Sequence, residues 1–183
     1  VEKAKFLKII DDESHRVSKL IDQVLDLRKI EAKPSLDIST FALQNLIEKI
    51  VTGFEEIKNN RQIDLQLQEL EISTDKEKLQ QILINVIGNA IKFTDYSSGE
   101  IAISAFSLKN KVVVKVKDNG IGIEKAHQKK VFERFYQVNN QGEGKHKGSG
   151  LGLAICKSYA KAMGIQLSLS SKVGEGTAIT LEI

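Results

Sequence analysis

EIAISAFSLKNKVVVKVKDNG, residues 100–120, contains two strand-like runs that meet at a single turn. Aliphatic residues alternate with small or polar ones over 100–108, 111–117 is rich in β-branched valine, and Asn110 between them is a turn former. A second close pair fits 165–171 and 177–183, with a helix over about 151–163 lying between the two pairs. Neighbouring strand pairs cannot be a parallel βαβ repeat. The reading is therefore an α+β fold: a mixed, largely antiparallel sheet with helices on one face.

Working outward toward the N-terminus, Leu79, Ile82, Leu83, Val86, Ile87, Ala90 and Ile91 recur at helical spacing and mark an amphipathic helix. Ile63, Leu65 and Leu67 alternate with polar residues, as in a half-buried strand. Before them, a helix carries Leu43, Leu46, Ile47, Ile50, Val51, Phe54 and Ile57 on one face, and LDIST (36–40) reads as a short strand. Residues 1–33 contain no Gly or Pro, and Ile10, Val17 and Val24 lie seven apart, as do Leu20 and Leu27. This spacing predicts one long helix with a narrow apolar seam, suited to a bundle or coiled coil between chains; the alternative is a long helix folded back on its own domain. Pro34 ends it, because proline disfavours helical backbone in the residue before it.

The chain of 183 residues has the composition of a globular protein, with 41% hydrophobic and 28% charged residues. No apolar run approaches the ~20 residues needed to cross a bilayer, and no signal-peptide pattern opens the chain. The net charge of +3, without aromatics among the basic residues, gives no reason to expect a nucleic-acid partner. Cys156, the single cysteine, excludes an intramolecular disulfide, and no Cys/His cluster has zinc spacing. Ten of the thirteen glycines fall between Gly120 and Gly176 and only Gly53 lies in the first 87 residues, so the chain is compositionally two-part.

Five segments carry polar chemistry: NVIGNAIKFT from Asn85, DNGIGI from Asp118, FERFYQ from Phe132, GSGLGL from Gly148 and GEGT from Gly174. Asn85 and Asn89 are four apart on one helix face, with Lys92 a turn further on. Carboxamides on an apolar helix are costly to bury unsatisfied, so these two either meet a polar ligand or bond a neighbouring loop. A carboxamide oxygen suits Mg²⁺, which takes other ligands from nucleotide phosphates, and Lys92 would neutralise phosphate charge. Asp118, at a strand end, is placed either in a turn or to accept a hydrogen bond from the exocyclic amino group of adenine, a donor that guanine lacks at the equivalent ring position. GSGLGL opens a helix, where backbone N–H groups and the helix dipole favour an anion; the alternative is a plain Gly-rich loop. Neither GxxxxGK[ST] nor a strand-preceded GxGxxG occurs.

As an ordered set these motifs resemble the catalytic ATP-binding domain of the bacterial sensor histidine kinases, within the gyrase, chaperone, histidine kinase and MutL superfamily, over about residues 36–183. The resemblance implies the Bergerat fold, an α/β sandwich with helices on one face of a mixed sheet, and ATP and Mg²⁺ as cofactors. Carried over by position, it implies Asn89 as the Mg²⁺ ligand, with Asn85 and Lys92 near the phosphates. It places Asp118 on the adenine amino group, with Gly120, Gly122 and Thr177 beside it and Phe93, Ile123 and Phe135 around the nucleotide. Gly148, Ser149, Gly150, Leu151, Gly152 and Leu153 would hold the phosphates, and about 124–147 would be the lid over ATP. Asn89, Lys92 and Arg134 are the residues implied in phosphoryl transfer. Many relatives carry Arg directly after F-x-x-F-Y, where this chain has Gln137. Either Arg134 or Lys145 or Lys147 then supplies that charge, or transfer is slow.

Residues 1–33 resemble the second helix of the family's dimerisation and phosphoacceptor hairpin, with 34–183 as the catalytic domain. The phosphoacceptor motif S-H-E-[LF]-[RK]-T-P is expected to lie outside this chain. Ser14-His15-Arg16 lacks the acidic residue after His and the Thr-Pro that follows, so His15 is read as a solvated helix residue, and His127 and His146 as surface residues. The resemblance implies a protein histidine kinase acting in two-component signal transduction. The γ-phosphoryl would pass to a histidine and then to an aspartate of a response regulator receiver domain. This chain is expected to bind ATP without phosphorylating itself. Implied partners are the receiver domain, the protein's own phosphoacceptor helix and a second copy paired through the hairpin. The implied location is a cytoplasmic domain of a parent that is either soluble or membrane-anchored. Competing readings are another ATPase of the same fold and a degenerate nucleotide-binding or docking module, for which Gln137 is the one favouring feature.

Overall fold

The computed structural model describes residues 35–138 and 148–183 and, before them, Phe6, Leu7, Asp11, Ser14, Ser18 and Ile21. The chain divides into two compact units, Val1–Pro34 and Ser35–Ile183. In the first unit the six described residues are helical and exposed, the apolar Phe6, Leu7 and Ile21 among them. The seam of Ile10, Val17 and Val24, His15 and the helix end before Pro34 lie outside the described residues, as does 139–147 with Lys145, His146 and Lys147.

The second unit is organised around the helix that carries the two asparagines. Its elements are β1 (Ile38–Ala42), α1 (Leu43–Thr52), α2 (Glu55–Lys58), β2 (Gln62–Leu67), β3 (Glu71–Asp75), α3 (Lys76–Phe93), β4 (Glu100–Leu108), β5 (Lys111–Asp118), α4 (Gly152–Ala162), β6 (Gln166–Lys172) and β7 (Gly176–Glu182), with a 3-10 turn at Lys130–Phe132. A five-stranded sheet has the order β2-β4-β5-β7-β6. β2 runs parallel to β4 and every other pairing in it is antiparallel, which makes the sheet mixed. β1 and β3 form a separate antiparallel pair.

The strands bury one face. Ile101, Ile103 and Ala105 of β4, Val114 and Val116 of β5, and Ile179 and Leu181 of β7 are buried, whereas Ala102, Lys115 and Lys117 on the opposite face are exposed. All seven apolar positions read on α3 are buried, and α3 packs against α4, α1 and β5. Burying a Leu or Ile is worth about 1.5–3 kcal/mol, so this stripe holds α3 and the polar residues between its apolar positions in a set orientation. Both ends of α3 are tied. Asp75 Oδ1 caps the Lys78 N–H at 3.0 Å, its Oδ2 accepts the Asp37 N–H at 3.1 Å, and its carboxylate pairs with the Lys78 ammonium. Burial alone would raise the Asp75 pKa, but these bonds bring it below its usual value. At the other end Arg61 donates to Thr94 Oγ1 and to the Thr94 carbonyl, each at 3.0 Å.

Three details depart from the sequence reading. The helix read through Ile57 stops at Thr52, because Gly53 is a poor helix former and the chain turns into the short α2, leaving Ile57 exposed. The first strand begins at Ile38 rather than at residue 36, since its register is set by β3, Ile38 opposite Asp75 and Ala42 opposite Glu71. β3 itself was not read: EISTD carries a single aliphatic residue, and its inward row is Ile72 and Thr74 rather than an apolar alternation.

Candidate functional site

The helix α3, the loop after β5, the turn before β7 and the segment leading into α4 converge at one end of the sheet. Asp118, the last residue of β5, is buried, and its Oδ1 accepts the Gly120 N–H at 2.9 Å and the Thr177 N–H at 3.2 Å. Its Oδ2 has no hydrogen-bond donor among the described residues. Burial pushes the Asp118 carboxyl above its ordinary value, and the two N–H donors only partly offset this. Backbone approach here requires glycine twice over. A Cβ on Gly176, at φ +96°, would lie 1.9 Å from the Asp118 carbonyl oxygen, and one on Gly120 would lie 2.4 Å from the Phe93 carbonyl oxygen.

The loop after Asp118 is stitched on both sides. The Ile121 N–H donates to the Phe93 carbonyl at 3.2 Å, and the Gly174 N–H donates to the Ile121 carbonyl at 2.9 Å. The Ile123 N–H donates to Ser171 Oγ at 2.8 Å, while Gln128 Nε2 donates to the carbonyls of Ile123 and Ser171 at 2.9 and 2.7 Å.

The other end of the site is built from α3 and residues 148–152. The Lys92 ammonium lies over the Phe93 ring, 4.9 Å from its centroid, and so close to Gly148 that a Cβ there would sit 2.9 Å from Nζ. Burial lowers the Lys92 pKa, so a nearby anion would relieve a desolvated cation. Asn85 Nδ2 donates to the Gln81 carbonyl at 3.0 Å, and its Oδ1 faces Gly152, where a Cβ would approach to 3.1 Å. The Asn89 side chain, half-buried on the same side of α3, makes no hydrogen bond to any described residue. No side chain caps the N-terminus of α4. Ser149 Oγ accepts the Leu151 N–H at 3.2 Å, which shapes the turn into that helix. Uncapped helix N–H groups beside a cation suit a multiply charged anion.

The structure thus gathers Asn85, Lys92, Phe93, Asp118, Gly120, Gly122, Ile123, Gly148, Ser149, Gly150, Gly152 and Thr177 into one region. Leu151 is fully buried, which leaves only its backbone to face a ligand, and Leu153 is half-buried in the first turn of α4. Phe135 is 65% exposed at φ +62°, its N–H bonded to the Gly150 carbonyl at 2.9 Å, and Arg134 beside it is exposed. Gln137 Nε2 donates to the Gly148 carbonyl at 2.9 Å, so the residue that replaces the expected Arg ties down the loop. His127 is a correction: it is half-buried, with Nδ1 bonded to the Tyr136 hydroxyl and Nε2 3.8 Å from Glu124, because 124–138 folds back on itself. Cys156 is fully buried against α3, and burial pushes its thiol up to about 12, which makes it inert. Ser171, Gln128 and Arg61 escaped the sequence reading, since no local motif marks them and their partners lie far along the chain.

Together, the mixed sheet with helices on one face, the buried acceptor at a strand end and the glycine-lined helix N-terminus define a class. The chain belongs to the histidine kinase-, DNA gyrase B-, and HSP90-like ATPases, whose family model matches residues 74–183. The described architecture is the Bergerat fold of that family. The chain is similar to the circadian input-output histidine kinase CikA of Synechococcus elongatus, with 31% identity over 98% of this chain and 24% of that protein. Its fold matches full-length ShkA in complex with AMPPNP at a TM-score of 0.86 and 24% identity, over 100% of this chain and 38% of that one. It also matches histidine kinase ThkA in complex with the response regulator protein TrrA, at a TM-score of 0.78 and 26% identity, over 98% and 50% of the two chains. The chain spans 24%, 38% and 29% of the length of three curated relatives it matches.

Proposed function

We propose that residues 34–183 bind MgATP and act as the phosphoryl-donor domain of a protein histidine kinase, with residues 1–33 as the second helix of its dimerisation hairpin. The observation that carries this reading is Asp118: a buried carboxylate with one oxygen filled by backbone donors and the other unpartnered, facing a loop whose backbone is held on both sides. Such a group calls for a ligand donor, and an adenine amino group supplies one. At the opposite end, Lys92 and the α4 N-terminus would receive the phosphates.

Among the described residues no three His, Cys, Asp or Glu side chains form a metal site of their own. A magnesium ion carried by the nucleotide would be held largely by phosphate oxygens and water, and the carboxamide of Asn89 would add a protein oxygen. Magnesium bound there would neutralise charge on the phosphates. The protein's own task is positioning: Asp118 sets the base, Asn85 and Lys92 set the phosphates, and Gln137 and Ser149 shape the loop around them. Phosphoryl transfer asks mainly for such placement and charge stabilisation. Arg134 is the further cation we assign to the transferred phosphoryl group. The acceptor would be a histidine that this chain does not supply, and the relay would continue to a response regulator aspartate. The exposed apolar residues Phe6, Leu7 and Ile21 support a partner helix and hence a dimer of the parent. We place the domain in the cytoplasm, where ATP is available; among the described residues no helix is long and apolar enough to cross a membrane.

Titration with ATP in magnesium and in EDTA tests the reading. The wild-type chain should bind MgATP, and Asn89→Asp should lose the magnesium-dependent part. Incubation with γ-labelled ATP should leave the chain unlabelled. Failure to bind at millimolar ATP, or acid-labile label on His15, would overturn it.

A further inference from the structure

Ser171 belongs to no motif, yet its hydroxyl joins three groups of the base end. It accepts the Ile123 N–H at 2.8 Å, lies 2.8 Å from the Gly176 carbonyl oxygen, and lies 2.8 Å from Thr177 Oγ1. A hydroxyl has one proton to give. A carbonyl oxygen can only accept, so the Ser171 proton goes to Gly176; otherwise two oxygen lone pairs would face each other at that distance. Thr177 must then donate its own proton to Ser171. The consequence reaches the ligand side: with its proton committed inward, Thr177 Oγ1 offers only lone pairs outward. Beside it, Asp118 Oδ1 is filled by the N–H groups of Gly120 and Thr177, and Oδ2 likewise offers only lone pairs. Gln128 braces the arrangement, because both protons of its Nε2 are used on the carbonyls of Ile123 and Ser171 and keep the Ile123 N–H on Ser171.

We infer that Ser171, braced by Gln128, is a positioning residue that fixes the hydrogen-bond polarity of the base end, so that the site accepts an amino donor and rejects a ring carbonyl. Without Ser171 the Thr177 hydroxyl could rotate outward and donate to a carbonyl; with it, a 6-oxo purine meets acceptors alone. This inference rests on the nucleotide reading above and names a determinant of its base selectivity beyond Asp118.

Calorimetric titration of MgATP and MgITP tests it, since inosine carries a 6-oxo group and no 2-amino group. Ser171→Ala should lower the ATP-over-ITP preference about five- to tenfold, the scale of one hydrogen bond. Ser171→Thr, which keeps the hydroxyl, should restore it. In a Thr177→Val background Ser171→Ala should have no further effect, which a merely structural serine would not produce. Gln128→Met should shift the preference in the same direction by about two- to threefold, less than a full hydrogen bond, and keeps the test open if Ser171→Ala does not fold. An unchanged preference in folded Ser171→Ala, or in Gln128→Met, or additive losses in the double variant, overturns the inference while the nucleotide reading stands. Absence of wild-type binding to either nucleotide overturns both.

Discussion

At the proposed base end of the site nearly every polar group has a partner. Asp118 Oδ1 holds two N–H groups, Ile121 is bonded through both its N–H and its carbonyl, and Ser171 ties Ile123, Gly176 and Thr177 together. The proposed phosphate end is different. The Asn89 carboxamide has no hydrogen-bond partner among the described residues, Lys92 is a partly desolvated cation, and no side chain caps α4. On the proposed nucleotide reading, the difference separates two ways of recognising one molecule. A base is read by shape and by fixed donors and acceptors, so its pocket is assembled in advance. A triphosphate carries charge that an under-satisfied set of donors can receive, so that end keeps groups without partners.

The largest expected effect breaks the preassembled end. Gly176→Ala would place a Cβ 1.9 Å from the Asp118 carbonyl oxygen, and either strand β7 or Asp118 must move. We expect a loss of at least about 3 kcal/mol and a fall in Tm of about 10 °C, read by thermal denaturation. Gly174→Ala is the control: it has a similar positive φ of +76° but open space around the Cβ, and should cost about 1–2 kcal/mol. Equal losses for the two would show that backbone conformation, not close approach, governs the turn.

Next in size is Asp118→Asn, expected to weaken ATP binding about 10- to 100-fold in calorimetry. Its effect on stability has the opposite sign. Because burial raises the Asp118 pKa in the folded state, the ionised form is the disfavoured one, and its cost appears as pH rises through the folded pKa. Removing the charge should therefore leave Tm at neutral pH unchanged or higher. A clear drop in Tm would instead make Asp118 a structural carboxylate.

The smallest effect sharpens the contrast between the ends. Lys92→Met should weaken MgATP about five- to tenfold, less at high salt, while adenosine binding stays as in the wild type. A parallel loss of adenosine would mean that the two ends are not separable.

Much of this was legible in the chain. The apolar stripe of α3 placed Asn85, Asn89 and Lys92 on one side, since the positions between buried ones on a helix follow from its period alone. The strands β4 and β5 and the glycine motifs were readable for the same reason: turn chemistry and alternation are local. β3 was not, because its inward row is Ile72 and Thr74 and gives no apolar alternation. Neither was the half-buried place of His127, which comes from Tyr136 folding back onto it. Arg61 reaches Thr94 across thirty-three positions and Ser171 reaches Ile123 across forty-eight, distances over which no periodic signal persists.

By itself, then, the sequence determined which residue types could meet a nucleotide and which helix and loops would carry them, because propensity and periodicity act between near neighbours. Only the tertiary structure decided how those groups are wired: which oxygen of Asp118 stays unpartnered, that Ser171 joins Ile123, Gly176 and Thr177, and that Gln137 holds a loop carbonyl. A hydrogen bond is settled by distance and by what else competes for its proton, and both depend on chain segments that only folding brings together.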